Sequence, residues 1–260
     1  MLSTLLARDR LLGGLAVALA VLFVGLALAA LVDSTEITGV DRWIKPMKFA
    51  ISIAIYLATI GWFTADIAPT RRRAQTWITA TIAAMLVIEI VCIAGQAARG
   101  TTSHFNDATA LDGAIFSVMG IAITINTVAV AALLWVLRRD TPPARAGYLH
   151  GVRLGLAVFV VGSLLGFVIV ANGGHSVPGP DGGPGLPFLN WSVDRGDLRV
   201  AHFVGLHALQ ALPIVGHLLD RSVSAPARRA RVVSAVATTW LVLMGATLAL
   251  ALAERPLLPL

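Results

Sequence analysis

Seven apolar runs limit what this chain can become. They fall at roughly 11–32, 47–67, 76–98, 113–137, 152–171, 198–219 and 231–253. Each supplies the about 20 residues that a helix needs to cross a hydrocarbon core. Inside a bilayer every backbone amide must find its partner within the chain, which leaves only helices and closed barrels. Barrel strands are short and alternate in polarity, so continuous runs of this length exclude them. The sequence therefore predicts an all-α integral membrane protein, a seven-transmembrane-helix bundle forming one polytopic domain over 1–260. Composition agrees: 57% hydrophobic residues, 13% charged and a mean hydropathy of +0.82 leave too little polar surface for a soluble domain.

Charge placement predicts the orientation. Thirteen of the 20 basic residues cluster at 8–10, 71–73, 138–153 and 221–231, all on one side of the spans. The positive-inside rule then puts the N-terminus in the cytoplasm and the C-terminus outside, in the plasma (inner) membrane. The net charge of +6 follows from this bias and implies no nucleic-acid partner, since basic loops beside anionic lipid are its simpler source. The first span, with more than 20 apolar residues, reads as an uncleaved anchor rather than a signal peptide. The single cysteine, Cys92, lies within the third span and precludes an intramolecular disulfide.

The connections on the Arg-poor side are longer and chemically richer, so function is sought there. They are 33–48, with Pro46 suited to a first helical turn, then 99–113, and the Gly- and Pro-rich 172–197. His175, Phe188, Trp191 and an ion-pair candidate, Asp194 with Arg195, favour a folded lid over a solvated tether in the last of these.

Two spans carry polar stripes. In span six, Arg199, His202, His207, Gln210 and His217 fit within about 140° of a helical wheel, and this face is expected to look into the bundle. In span three, Glu89, Cys92, Gln96, Arg99 and Ser103 lie within about 80°. A carboxylate at the depth of Glu89 costs several kcal/mol unless protonated, paired or hydrated. Glu89 is therefore a candidate catalytic or proton-relay group facing Gln210 or a span-six histidine. Asn126 in span four is a candidate neighbour. By depth, His202 and His207 lie about 6 and 13 Å below the start of their span, within reach of His104 and His175, whereas His217 is about 28 Å down.

Several chemistries suit this inventory. A transition-metal site would take His104, His175, His202 and His207, completed by Asp107, Asp181 or Glu89. A b-type haem would take His202 or His207 with His104 as axial ligands, giving a redox protein. A metal-dependent membrane hydrolase would use Glu89 and His104 catalytically, although Ser103 and His104 are adjacent and the late histidines are five apart. The remaining class is a carrier or sensor for a small anionic or lipidic ligand. Arg42, Lys45, Lys48, Arg99 and Arg199 would meet it on the outer side, with Gln96 and Gln210 as polar contacts. Against this, those cations can pair with Asp33, Glu36, Asp41 and Asp197.

Overall fold

The computed structural model describes residues 2–137 and 145–258; Arg138 and Arg139, two of the clustered basic residues, lie outside the described residues. A short helix α1 (Leu2–Arg8) precedes α2 (Arg10–Ala30), α3 (Ile44–Thr64), α4 (Arg72–Ala98), α5 (Ala110–Leu137), α6 (Ala146–Ala171), α7 (Leu198–Ser222) and α8 (Pro226–Leu252). Helices α2 to α8 are seven elements long and apolar enough to cross a membrane, so the chain is a multi-pass membrane protein. The chain divides into two compact units, Met1–Ala129 and Val130–Leu260, with the division falling inside α5.

In the first unit α3 packs chiefly on α2 and also on α4. Asp9 caps α2 by accepting the Leu12 amide at 3.0 Å, and the Thr64 hydroxyl of α3 reaches the same carboxylate at 3.3 Å. The connection 33–43 is an ordered hairpin of β1 (Glu36–Ile37) and β2 (Val40–Asp41). Its turn residues Thr38 and Gly39 have φ of 53° and 80°, the left-handed pair that matches strand twist in a two-residue hairpin. Asp33 ties the start of the hairpin to the residues leading into α3 by accepting from Arg42 and from the Trp43 indole at 3.0 Å. Pro46 falls in the first turn of α3, as its position in the sequence predicts.

In the second unit α6 and α7 form the most extensive helix pair. Glycines make it so. A Cβ on Gly205 would lie 2.5 Å from the Cα of Gly162, and one on Gly216 would lie 2.1 Å from the carbonyl oxygen of Gly147. Backbones this close pack by dispersion and Cα–H···O contact, which is how helices associate where no hydrophobic drive exists. At the arginine-rich end Asp220 of α7 accepts the Gly147 and Tyr148 amides at 2.8 Å each, capping α6 from another helix. Arg229 of α8 pairs with the same carboxylate at 3.2 Å. The helix begins at Ala146, ahead of the apolar run at 152–171, and the cap satisfies two amides of this added turn.

The connection 172–197 is folded. Strands β3 (Ser176–Val177) and β4 (Gly196–Asp197) pair antiparallel, and Asp181 accepts the His175 and Ser176 amides at 2.8 and 2.9 Å. Trp191 packs edge-on against Phe203 of α7, their centroids 5.1 Å apart.

Candidate functional site

The polar stripe of α4 lies on its buried face. Glu89 and Gln96 are 5% and 1% exposed, on the same side as Ile82, Leu86 and Ile93. Gln96 donates to Asp112 of α5 at 2.8 Å, and Arg99 reaches the same oxygen at 2.8 Å. Thr109 and Asp112 form a capping pair at the start of α5: the Asp112 amide donates to the Thr109 hydroxyl, which donates back to the carboxylate at 2.6 Å. Gln96 and Arg99, expected as ligand contacts, thus fasten the loop 99–109 to its helices. The sequence signal for Asp112 is the Thr-x-x-Asp spacing, Thr109 to Asp112, just before an apolar run.

Beside this clamp sits a group of a different kind. The His104 ring has Phe49, Phe105 and Phe116 around it, with centroids 6.0, 6.4 and 6.0 Å away. Its Nδ1 is 3.2 Å from Lys45 Nζ and 3.1 Å from the buried Ser103 hydroxyl. An ammonium can only donate, so Nδ1 is the acceptor and the ring proton of neutral His104 is carried by Nε2. Lys45 is also the charged group that acts electrostatically on Glu89. Among the described residues no hydrogen bond reaches the Glu89 carboxyl. Lys45 stands in the first turn of α3, which has no acidic residue, with Lys48 just beyond it; a cation at that end of a helix opposes the helix dipole. Elsewhere in this unit Tyr56 donates to the buried Asn126 at 3.2 Å, so Asn126 is bonded within a helix pair.

The histidines of the second unit have separate settings. His202 Nδ1 is 2.8 Å from the Gly162 carbonyl of α6, and His207 Nδ1 is 2.8 Å from the Phe203 carbonyl of its own helix. A carbonyl only accepts, so each Nδ1 carries a proton. His207 is exposed and stacked on Phe203 with a centroid separation of 3.8 Å. His175 Nε2 pairs with Asp181 at 3.1 Å. Among the described residues no group of three or more His, Cys, Asp or Glu side chains could hold a metal ion. The expected shell of His104, His175, His202 and His207 therefore finds no support in the structure. The expected orientation of span six is corrected too. The buried face of α7 is the small apolar one through Ala201, Gly205, Ala208, Leu212 and Gly216, while His207 and His217 are exposed and Arg199, His202 and Gln210 half-buried.

The basic residues of the loops are mostly paired. Arg42 pairs with Asp33, Arg99 with Asp112, Arg195 with Asp194 at 3.4 Å, and Arg199 with Asp197 at 2.6 Å. Hydrogen bonds from Thr35, then from Arg42 and Trp43, outweigh burial and hold the Asp33 carboxyl well below the usual carboxylate range. Burial pushes Asp197 up, but the Arg199 guanidinium and the Ser192 amide outweigh it, so its pKa is lowered.

No protein family matches the chain, and comparison with curated proteins and with solved structures finds no match.

Proposed function

We propose that this membrane protein is a carrier or sensor for a small carboxylate-type anion, bound at Lys45 and His104 and linked to proton uptake at Glu89. The observation that carries this reading is the Lys45 ammonium, which lies 3.2 Å from His104 and acts on the buried Glu89. Lys45 and the Nε2–H of His104 are two donors, one of them charged, in an aromatic setting that favours an apolar carboxylate. A carboxylate buried without a hydrogen bond lowers its energy by keeping a cation close or by taking up a proton. When an incoming anion engages Lys45, Glu89 loses part of its counter-charge and protonation becomes the remaining route. Anion binding and proton uptake are thereby coupled. A hydrolytic use of Ser103 is less favoured, because the only lone pair of its neighbouring base, His104 Nδ1, is shared with Lys45.

The test uses benzoate and acetate as probes with the full chain in lipid nanodiscs. Benzoate should raise the melting temperature more than acetate, with about one proton taken up per anion bound. Lys45→Ala should weaken binding roughly 10- to 100-fold, the worth of a charge-assisted hydrogen bond. Glu89→Gln should retain binding but lose the proton uptake, and Glu89→Ala should lower stability as well. Equal benzoate affinity in the parent and Lys45→Ala, or no carboxylate effect at millimolar concentration, would sink the reading.

A further inference from the structure

We propose that a groove between α6 and α8 holds one acyl chain of an anionic phospholipid, with the lipid phosphate on Arg231. The groove has a volume of about 230 Å³ and is walled by Leu154, Ala157 and Val161 of α6 and by Ala237, Thr238 and Leu241 of α8. From Leu154 to Val161 it runs about 10 Å along the helix. Its floor is fixed, because Val158 and Ala237 are buried in one cluster with Ala208 and Leu212 of α7.

The polar atoms of the wall are already engaged. Thr238 donates to the Ser234 carbonyl at 3.1 Å, and the Ser234 hydroxyl meets His150 Nε2 at 2.8 Å. What remains is a hydrocarbon surface, which suits a chain of methylenes and offers a polar ligand nothing in return. The mouth is different. Beyond Ser234 and His150, one helical turn toward the arginine-rich end, stands the exposed Arg231. Among the described residues Arg231 makes no ion pair or hydrogen bond. An apolar slot ending at an exposed guanidinium has the charge sequence of a phospholipid, tail first and phosphate last. By the positive-inside reading this end meets the leaflet that carries anionic lipid. A helix from a second copy fits less well. A groove about 10 Å long is short for a stable interface, and such a helix would bring no anion to Arg231.

The experiment is native mass spectrometry of the detergent-purified full chain, titrated separately with phosphatidylglycerol and phosphatidylcholine. The parent should retain one phosphatidylglycerol about fivefold better than phosphatidylcholine, the preference expected of one basic residue at the surface. Arg231→Gln changes an exposed position and should erase that preference without affecting folding. Ala157→Phe should fill the slot and remove the bound lipid. Equal retention of the two lipids by the parent would overturn the proposal. So would a phosphatidylglycerol preference that survives Arg231→Gln, or a dimer that Ala157→Phe dissociates, which would assign the groove to a second copy. If Ala157→Phe does not fold, the Arg231→Gln comparison decides alone.

Discussion

Asp197 joins both ends of the long loop to the start of α7. It accepts the Ser192 amide at 2.9 Å and the Arg199 amide at 3.0 Å, and it pairs with the Arg199 guanidinium. Its side chain is 1% exposed, so neither partner can be replaced by water without moving the loop. The lowered pKa fixes a sign. A carboxylate whose folded-state value lies below its unfolded value stabilises the fold at every pH above the unfolded value, about 3.9, and that contribution is lost as pH falls through the folded value. The loop should therefore open in acid before the spans do. Hydrogen exchange at residues 184–197 should rise below about pH 4 while the exchange of α6 stays slow. Asp197→Asn should shift that opening to neutral pH, since the amide leaves Arg199 with a weaker partner. Unchanged exchange in the variant would show that the strand pair alone holds the loop. The Asp194–Arg195 pair was legible in the sequence because its members are adjacent. Arg99 with Asp112 was not, because thirteen residues separate them and only the fold of 99–109 brings them together.

Helices α6 and α7 show where hydrophobicity stops informing a sequence reading. All seven spans could be read directly, because a long apolar run in a bilayer has one outcome. Which face of a span turns inward is a separate question. For α4 polarity answered it correctly, since Glu89 and Gln96 are buried. For α7 polarity pointed the wrong way, since the buried face is lined by small residues that lipid and protein solvate almost equally well. The signal lay in the glycines of both helices, which matter through size rather than polarity. Gly162→Leu should accordingly cost about 1–3 kcal/mol by overpacking, seen as a lower unfolding midpoint in detergent. Gly166→Leu, one turn further along α6 with only His202 nearby at 3.8 Å, should cost much less. Equal losses at the two positions would remove the close backbone contact as their cause.

Across the whole molecule, the basic residues argue for an N-in, C-out orientation, and a reporter can check it. A phosphatase fused after residue 258 should be active and a fluorescent protein at the same place dark. The opposite pattern would move the hairpin and both longer loops to the cytoplasmic side, and the proposed anion site with them. The candidate site was half legible: Glu89, His104 and Lys45 each stood out as polar groups in or beside apolar spans. Their grouping did not, because Lys45 and His104 are 59 residues apart and meet through tertiary structure alone. The depth of the histidines along their span suggested a metal shell in the same way, but depth does not say which side chains meet, and among the described residues no such group forms.

The cap on α6 also has a consequence for how the chain is made. Asp220 lies 73 residues after the Gly147 amide that it receives. At a synthesis rate of about 5–20 residues per second, the first turn of α6 leaves the ribosome roughly 4–15 s before its cap exists. During that interval its amides must borrow partners from water or headgroups, which keeps the beginning of α6 near the membrane surface. Only when α7 has crossed back, and Arg229 has followed to hold the carboxylate, can that turn settle. The last two helices thus act as the latch on an insertion that began one span earlier.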